Sequence, residues 1–294
     1  MTKMKSEIRK YVSKVGEALE SKHALKELQL QTRIQIEDYI QTQLSINPRY
    51  LDKKRLNAFE FQVLSQGGED GIISEIFNRI GTTNKFFVEI GVGNGIENNT
   101  ANLLFQNWKG VWLEGDGAFV RSISRDLSAY INDNRLTVTQ AIMTSENIET
   151  IFENHNIASE FDMLSIDIDS YDFWVWKAIE KFSPRVVVIE YNSSWGPTTP
   201  WVMDKNLPAS FTDHTSCFGA SLKSLELLGN DKGYKLVGCN IAGTNAFFVR
   251  NDLTHDNFVE PATSENHFEP PRYYLLQPIG HPRNFDIFKV LPQP

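Results

Sequence analysis

Between residues 59 and 250 the chain alternates short, β-branched apolar runs with helix-like stretches, and this alternation restricts it to a parallel sheet covered by helices on both faces. The apolar runs are Phe86 to Ile90, Gly110 to Glu114, Leu136 to Gln140, Met163 to Asp167, Val186 to Glu190, Lys235 to Cys239 and Ala246 to Arg250. Helical patterns fall near Gly71 to Ile80, Asn99 to Asn107, Phe119 to Tyr130, Ser145 to Asn154, Phe173 to Lys181 and Ala220 to Lys232. Only Asn240 to Asn245 join the last two runs, too short a link for a parallel crossover, so these two predict an antiparallel hairpin. The expected fold is α/β, a doubly wound, seven-stranded and mostly parallel sheet that ends in this hairpin.

Two stretches flank that domain. Residues 1–58 predict a helical arm: they are rich in Lys, Glu, Gln and Leu, and no proline precedes Pro48. Ile8, Val12, Val15 and Leu19 mark one helix face, and a second helix over Ala24 to Leu44 carries Leu25, Leu28, Ile36, Tyr39 and Ile40. Such an arm can pack on its own domain, pair with a second copy into a homo-oligomer, or grip a partner. Residues 251–294 hold seven of the 12 prolines, interspersed with Phe268, Tyr273, Tyr274, Phe285 and Phe288, and predict an irregular tail that wraps the domain.

A formal charge of -8 excludes a general nucleic-acid binder, for no positive field exists to attract a polyanion. No run approaches the roughly 18 to 20 apolar residues of a membrane span, and MTKMKSEIRK lacks the apolar core of a signal peptide. The cysteines, Cys217 and Cys239, form no zinc-ligand pattern and no disulfide framework, so reduced thiols in the cytoplasm are expected.

The first run leads straight into Gly91-Val92-Gly93-Asn94-Gly95. Alternate glycines let the backbone turn tightly and approach a ligand where a side chain would collide. Glu114, at the end of the second run, stands where an acid accepts hydrogen bonds from both hydroxyls of a ribose, with Asp116 a competitor for that role. Glu89 discriminates between ligands: a carboxylate at the tip of the first strand repels a pyrophosphate and suits an ammonium group. S-adenosylmethionine carries an ammonium and a sulfonium without any phosphate, and therefore fits better than NAD.

A second group of candidates ends the fourth and fifth runs, beyond which ligands of open parallel sheets lie. Asp167 and Asp169, two positions apart, can face the same crevice, as can Glu190 and Asn192 on the neighbouring strand. Four oxygen-bearing groups of this kind suit magnesium, manganese or calcium. Alternatively Asp167 or Asp169 acts alone as a general base, or Asp169 merely caps the helix starting near Asp172. The segment Ser193 to Phe218 is long enough for a binding loop, and it offers Trp195 and Trp201 as platforms and His214 as a proton acceptor.

Taken in order, these residues resemble the class I S-adenosylmethionine-dependent methyltransferases, and within them the FkbM-type branch. The resemblance runs through Ser65-Gln66-Gly67-Gly68-Glu69-Asp70-Gly71, Val88 to Gly95 with Glu97, Asn98, Asn99 and Thr100, and Trp112-Leu113-Glu114. It continues in Leu164-Ser165-Ile166-Asp167-Ile168-Asp169, Val187-Val188-Ile189-Glu190-Tyr191-Asn192 and the terminal hairpin, the element that separates a methyltransferase-type sheet from a dinucleotide-binding one. What it implies is a Rossmann-like methyltransferase with the methyl donor at Glu89, Gly91, Gly93 and Gly95, and with Glu114 on the ribose. Ala141 and Ile142 would lie by the adenine, and Asp70 by the methionine end. The reaction expected is O-methylation of a hydroxyl on a polar small molecule or glycan unit, with Mg2+ or a carboxylate base assisting. The alternatives are a non-catalytic nucleotide-binding module that recruits a partner through its arm, and an NAD(P)-dependent oxidoreductase.

Overall fold

The computed structural model describes the backbone of residues 2–207, 215–276 and 284–289, and side chains over 21–207, 215–276 and 284–288. The chain forms two compact units, Met1–Leu51 and Asp52–Pro294.

The first unit is one helix, α1 (Thr2–Ile46), where the sequence pattern suggested two. Nothing interrupts it: Gly16 alone costs about 1 kcal/mol relative to alanine, and the first proline, Pro48, lies just past its end. The side chains of the stripe Ile8, Val12, Val15 and Leu19 lie outside the described residues. Among the described residues no helix is long and apolar enough to cross a membrane.

The second unit is a seven-stranded sheet made of β1 (Phe86–Ile90), β2 (Lys109–Glu114), β3 (Leu136–Gln140), β4 (Met163–Ile166), β5 (Val186–Glu190), β6 (Tyr234–Cys239) and β7 (Asn245–Arg250). Its order is β3-β2-β1-β4-β5-β7-β6, with β7 antiparallel to both of its neighbours and all other pairs parallel. This is the doubly wound, mostly parallel sheet expected from the sequence, and the terminal hairpin follows from the short β6–β7 link.

The α-helices are α2 (Glu69–Ile80), α3 (Gly117–Asp126), α4 (Ser128–Asn132), α5 (Ile148–Asn154), α6 (Asp172–Ala178), α7 (Leu222–Asp231), α8 (Asn251–Thr254) and α9 (Ser264–His267). Alternate strand residues feed two cores. Val88, Ile90, Leu164 and Ile166 join one with Trp176 and Leu225, while Phe87, Trp112, Met163 and Val188 join the other with Ile72, Ile76 and Ile123. In the C-terminal stretch, Phe288 is buried against Phe105 and Tyr130, and Glu269 O accepts a hydrogen bond from Tyr191 Oη.

The stretch expected to form a helix over Asn99 to Asn107 is instead a short 3₁₀ turn, Ala101–Gln106, closed by Asn107 in the left-handed conformation. Its cause lies in the site described below.

The amino ends of β1, β4 and β5 are tied by one buried carboxylate. Asp162, fully buried, accepts hydrogen bonds from the backbone of Thr83, Asn84 and Lys85 and pairs with Arg185 at 2.8 Å, while Arg185 also donates to the carbonyls of Ile80 and Gly81. Removing one partner of such a pair strands a buried charge. Asp162→Ala is therefore expected to cost about 3–5 kcal/mol, read from the urea midpoint of unfolding; a loss below about 1 kcal/mol, the range of a surface ion pair, would refute this role.

Candidate active site

Beyond the carboxyl ends of β1, β2 and β4 lies a cavity of about 600 Å³. It opens where strand order reverses, with β1 paired to β2 on one side and β4 on the other, so loops diverge and leave a crevice.

The three glycines after β1 all have positive φ, yet each is needed for a different reason. A Cβ on Gly91 would stand 1.7 Å from the carbonyl oxygen of Asp167, so this glycine lets the loops after β1 and β4 touch. A Cβ on Gly95 would press on Ile123 and Trp112, in the packing against α3. A Cβ on Gly93 would meet nothing within 4 Å, so this glycine lines the cavity with open space where a side chain would stand.

Glu114 holds this loop in place. One carboxylate oxygen accepts the Gly93 N–H at 2.7 Å and the other the Asp116 N–H at 2.8 Å. Each oxygen keeps a second lone pair for a ligand hydroxyl. Asp116, the competitor for the ribose role, caps α3 by accepting from the Ala118 N–H.

Glu89, only 1% exposed, accepts from the backbone N–H groups of Asn99 (2.8 Å) and Thr100 (3.0 Å), from Asn98 Nδ2 and from the Thr100 hydroxyl. Trp112 Nε1 in turn donates to the Thr100 hydroxyl, and Asn99 Nδ2 donates to Ser165 Oγ. Burial pushes the Glu89 carboxyl upward, and these donors oppose the shift. Its carboxylate takes the amides that lead into the 3₁₀ turn, which explains why no regular helix starts there. It also stands where an anionic ligand would otherwise bind.

At the other end of the cavity, Asp167 and Asp169 line its wall, and with Glu190, which is outside the lining, they bring one carboxylate oxygen each within 4.8 Å of one another. None of the three side chains has a hydrogen-bond partner among the described residues. Burial raises all three and neighbouring acids add to it: Asp167 chiefly by burial and then by Asp172 and Asp169, Glu190 by burial and then by Asp167, Asp169 by burial and then by Glu114. Asp169 does not cap the following helix. Tyr171 is at that N-cap position, and Asp172 Oδ1 accepts from the Ile168 N–H instead.

Other candidates are placed elsewhere. Asn192 is 1% exposed and fully engaged: its Nδ2 donates to the carbonyls of Ser216 and Phe218, and its Oδ1 accepts from the Ser194 N–H. It anchors a loop and stays out of the carboxylate cluster. Asp70 Oδ2 accepts from the backbone of Val63, Leu64 and Ser65, and the residue does not line the cavity. Ile142, 76% exposed, does line it with Met143 and Phe119, whereas Ala141 pairs with the Glu114 carbonyl through its N–H. His214 lies outside the described residues. Trp195 and Trp201 stack on one another with ring centres 4.5 Å apart, so each covers a face that was expected to receive a ligand.

Several participants were not singled out from the sequence. Tyr171 lines the cavity and donates its hydroxyl to the Leu207 carbonyl. Asn245 lines it opposite Glu190 in the β5–β7 register, with its Oδ1 buried and unpartnered. Asp172 is buried behind the cluster, pushed up to about 6 by that burial, with Oδ2 unpartnered. The repeated Asp of residues 167–172 was the only signal for Asp172.

No protein-family model and no curated protein matches the sequence. Solved structures similar to it include magnesium protoporphyrin IX methyltransferase from Synechocystis PCC 6803 with bound SAM, 9% identical, covering 73% of this chain and 97% of that one at a TM-score of 0.42. A Staphylococcus aureus protein described as a caffeoyl-CoA O-methyltransferase is 15% identical over 75% of this chain and 99% of its own, with a TM-score of 0.44. Spermidine synthase from Thermotoga maritima is 16% identical over 66% of this chain and 64% of its own, at 0.36. Likenesses this distant decide neither reaction nor substrate, because one sheet carries several chemistries.

The glycines give a direct test. Gly93→Ala should cost about 1–2 kcal/mol, the strain of a side chain in the left-handed region, whereas Gly91→Ala adds a collision with backbone and should cost clearly more in urea unfolding. Equal losses would show that the approach of the two loops is not what Gly91 permits.

Proposed function

We propose that this chain is an S-adenosylmethionine-dependent methyltransferase of the FkbM type, acting on a hydroxyl of a polar small molecule or glycan unit. The observation that carries the reading is the charge of the cavity. Glu89, Glu97, Glu114, Asp167 and Asp169 line it, and no Lys, Arg or His does among the described residues. A dinucleotide would bring its pyrophosphate among unscreened carboxylates, with the nearby amides already taken by Glu89. S-adenosylmethionine is positive at the sulfonium and the ammonium, and so matches this field.

The residues present fit that donor. Gly93 leaves room in the cavity where a side chain would stand, Glu114 keeps acceptor capacity for ribose hydroxyls, and Phe119, Ile142 and Met143 offer apolar surface for a base. When bound, the donor supplies a methyl group already activated on sulfur. The chain's part is then to align an acceptor and take its proton. Asp167 and Asp169, which have no donors and are made more basic by burial, suit proton acceptance from a hydroxyl. With Glu190 they would also hold Mg2+, which would offset their repulsion and acidify the acceptor. The pair of aspartates is the base of this reading because both line the cavity and neither accepts a hydrogen bond among the described residues.

Calorimetric titration of the metal-stripped protein is expected to show micromolar binding of S-adenosylhomocysteine and none of NADH; the converse would overturn the proposal. Added Mg2+ should bind more tightly as the pH rises, with the rise continuing above the ordinary carboxylate range, since the metal competes with protons on carboxylates whose affinity for them burial has raised. Asp169→Asn should remove the Mg2+ response and leave S-adenosylhomocysteine binding within about threefold, the scale of one exposed interaction. A flat pH profile or an unchanged Mg2+ response would leave the carboxylates as bases alone.

A further inference from the structure

The sequence offered Asn192 as a fourth oxygen beside Asp167, Asp169 and Glu190, and the structure commits that residue to loop contacts instead. Another asparagine is better placed. Asn245 begins β7 and stands directly opposite Glu190 in the β5–β7 register. The next pair along, Tyr191 and Thr244, is joined by a hydrogen bond from the Tyr191 N–H to the Thr244 carbonyl. Glu190 and Asn245 therefore form a non-hydrogen-bonded pair, whose side chains leave the same face of the sheet with Cβ atoms about 4.5–5.5 Å apart.

A buried carboxylate decides which way the Asn245 amide turns. Through one oxygen Glu69, 1% exposed, accepts from Asn245 Nδ2 at 3.1 Å and from Asn240 Nδ2 at 2.8 Å, and through the other it accepts from the Gly67 N–H. A carboxylate only accepts, so the amide nitrogen must face Glu69 and the amide oxygen must point away from it. That oxygen, Oδ1, is buried and has no hydrogen-bond partner among the described residues, in a side chain that is 7% exposed and belongs to the cavity wall. Turning the amide over would set its oxygen against the Glu69 carboxylate and gain nothing.

The surroundings of this oxygen call for positive charge. Across the strand pair lies Glu190, and beyond it Asp167 and Asp169, acceptors whose oxygens gather within 4.8 Å of one another. No Lys, Arg or His lines the cavity among the described residues to neutralise them. Carboxylates joined by an amide carbonyl are a ligand set for hard divalent cations such as Mg2+ and Mn2+. Such an ion is smaller than a water molecule, so an oxygen closed to water is still open to it.

We propose that Asn245, through Oδ1, supplies a fourth protein oxygen to a divalent cation held by Asp167, Asp169 and Glu190. The proposal rests on the reading of those carboxylates as a metal site and adds to it a ligand from the terminal hairpin. Four protein oxygens leave about two of the six positions that Mg2+ takes, for water and for an acceptor hydroxyl. Mn2+ is the probe, because the sharp paramagnetic resonance signal of the free ion is lost on binding, and the metal-stripped full chain can be titrated without any methyl acceptor. Asn245→Leu, close to the same size, should weaken Mn2+ binding by at least about tenfold, the lower end of what even an indirect contact to a metal costs. Asn245→Asp keeps the oxygen and loses only the donor to Glu69, so it should bind Mn2+ at least as tightly as the wild type. A cooperative urea transition checks that each variant is folded. Equal binding by the wild type and folded Asn245→Leu would overturn the assignment and leave a site of three carboxylates. Equal weakening in both variants would also overturn it, since the amide nitrogen and not the oxygen would then matter. No Mn2+ binding by the wild type would overturn the metal reading as well, whereas the methyl-donor reading is decided separately by titrating S-adenosylhomocysteine without metal.

Discussion

The site depends on the burial of the Glu89 carboxylate under the loop that follows its own strand. A buried carboxylate without donors is costly, and Glu89 meets that cost by drawing in the amides of Asn99 and Thr100, the Asn98 side chain and the Thr100 hydroxyl. That demand shapes the chain from residue 94 to 106 and limits the following helix to a 3₁₀ turn. Through Thr100 and Asn99 the same network reaches Trp112 on β2 and Ser165 on β4, so one side chain fixes three strands and the glycine loop among them. The result is an acidic crevice in which the Gly93, Asn99 and Thr100 amides are already taken by its own carboxylates, and which has little use for an anion.

The acids of this protein divide by whether the fold supplies donors. Asp162, Glu89, Glu114 and Asp70 are surrounded by N–H groups and act as structural ties. Asp167, Asp169 and Glu190 receive none, although they repel one another at close range. Hydrogen bonds to a carboxylate contribute roughly 1.5–3 kcal/mol each, so leaving three such groups unpartnered is a local conflict of the kind found at working sites rather than in frameworks. A cation or a transferable proton relieves it.

Much of the fold was legible because the central strands β1, β4 and β5 are short runs buried on both faces, as covered parallel strands must be. The strands begin and end within about one residue of the runs, and the antiparallel hairpin followed from the length of one link. Helix starts were less legible. Asn98, Asn99 and Thr100 bond to Glu89, a partner nine to eleven residues away, and no local pattern reports that choice. Asp70 and Asn192 read as site residues by position, yet backbone donors and acceptors claimed both. Trp195 and Trp201 read as a platform, and stacking turned them toward each other.

The sequence by itself determined the layered α/β architecture, the turn from β1 into glycines and the acidic character of the cavity, because periodicity, glycine and charge are local properties. Only the tertiary structure decided which acids are ties and which are free, since that depends on donors delivered from other strands and loops. It also separated the three glycines, for the close approach of Asp167 to Gly91 exists only once β4 lies beside β1.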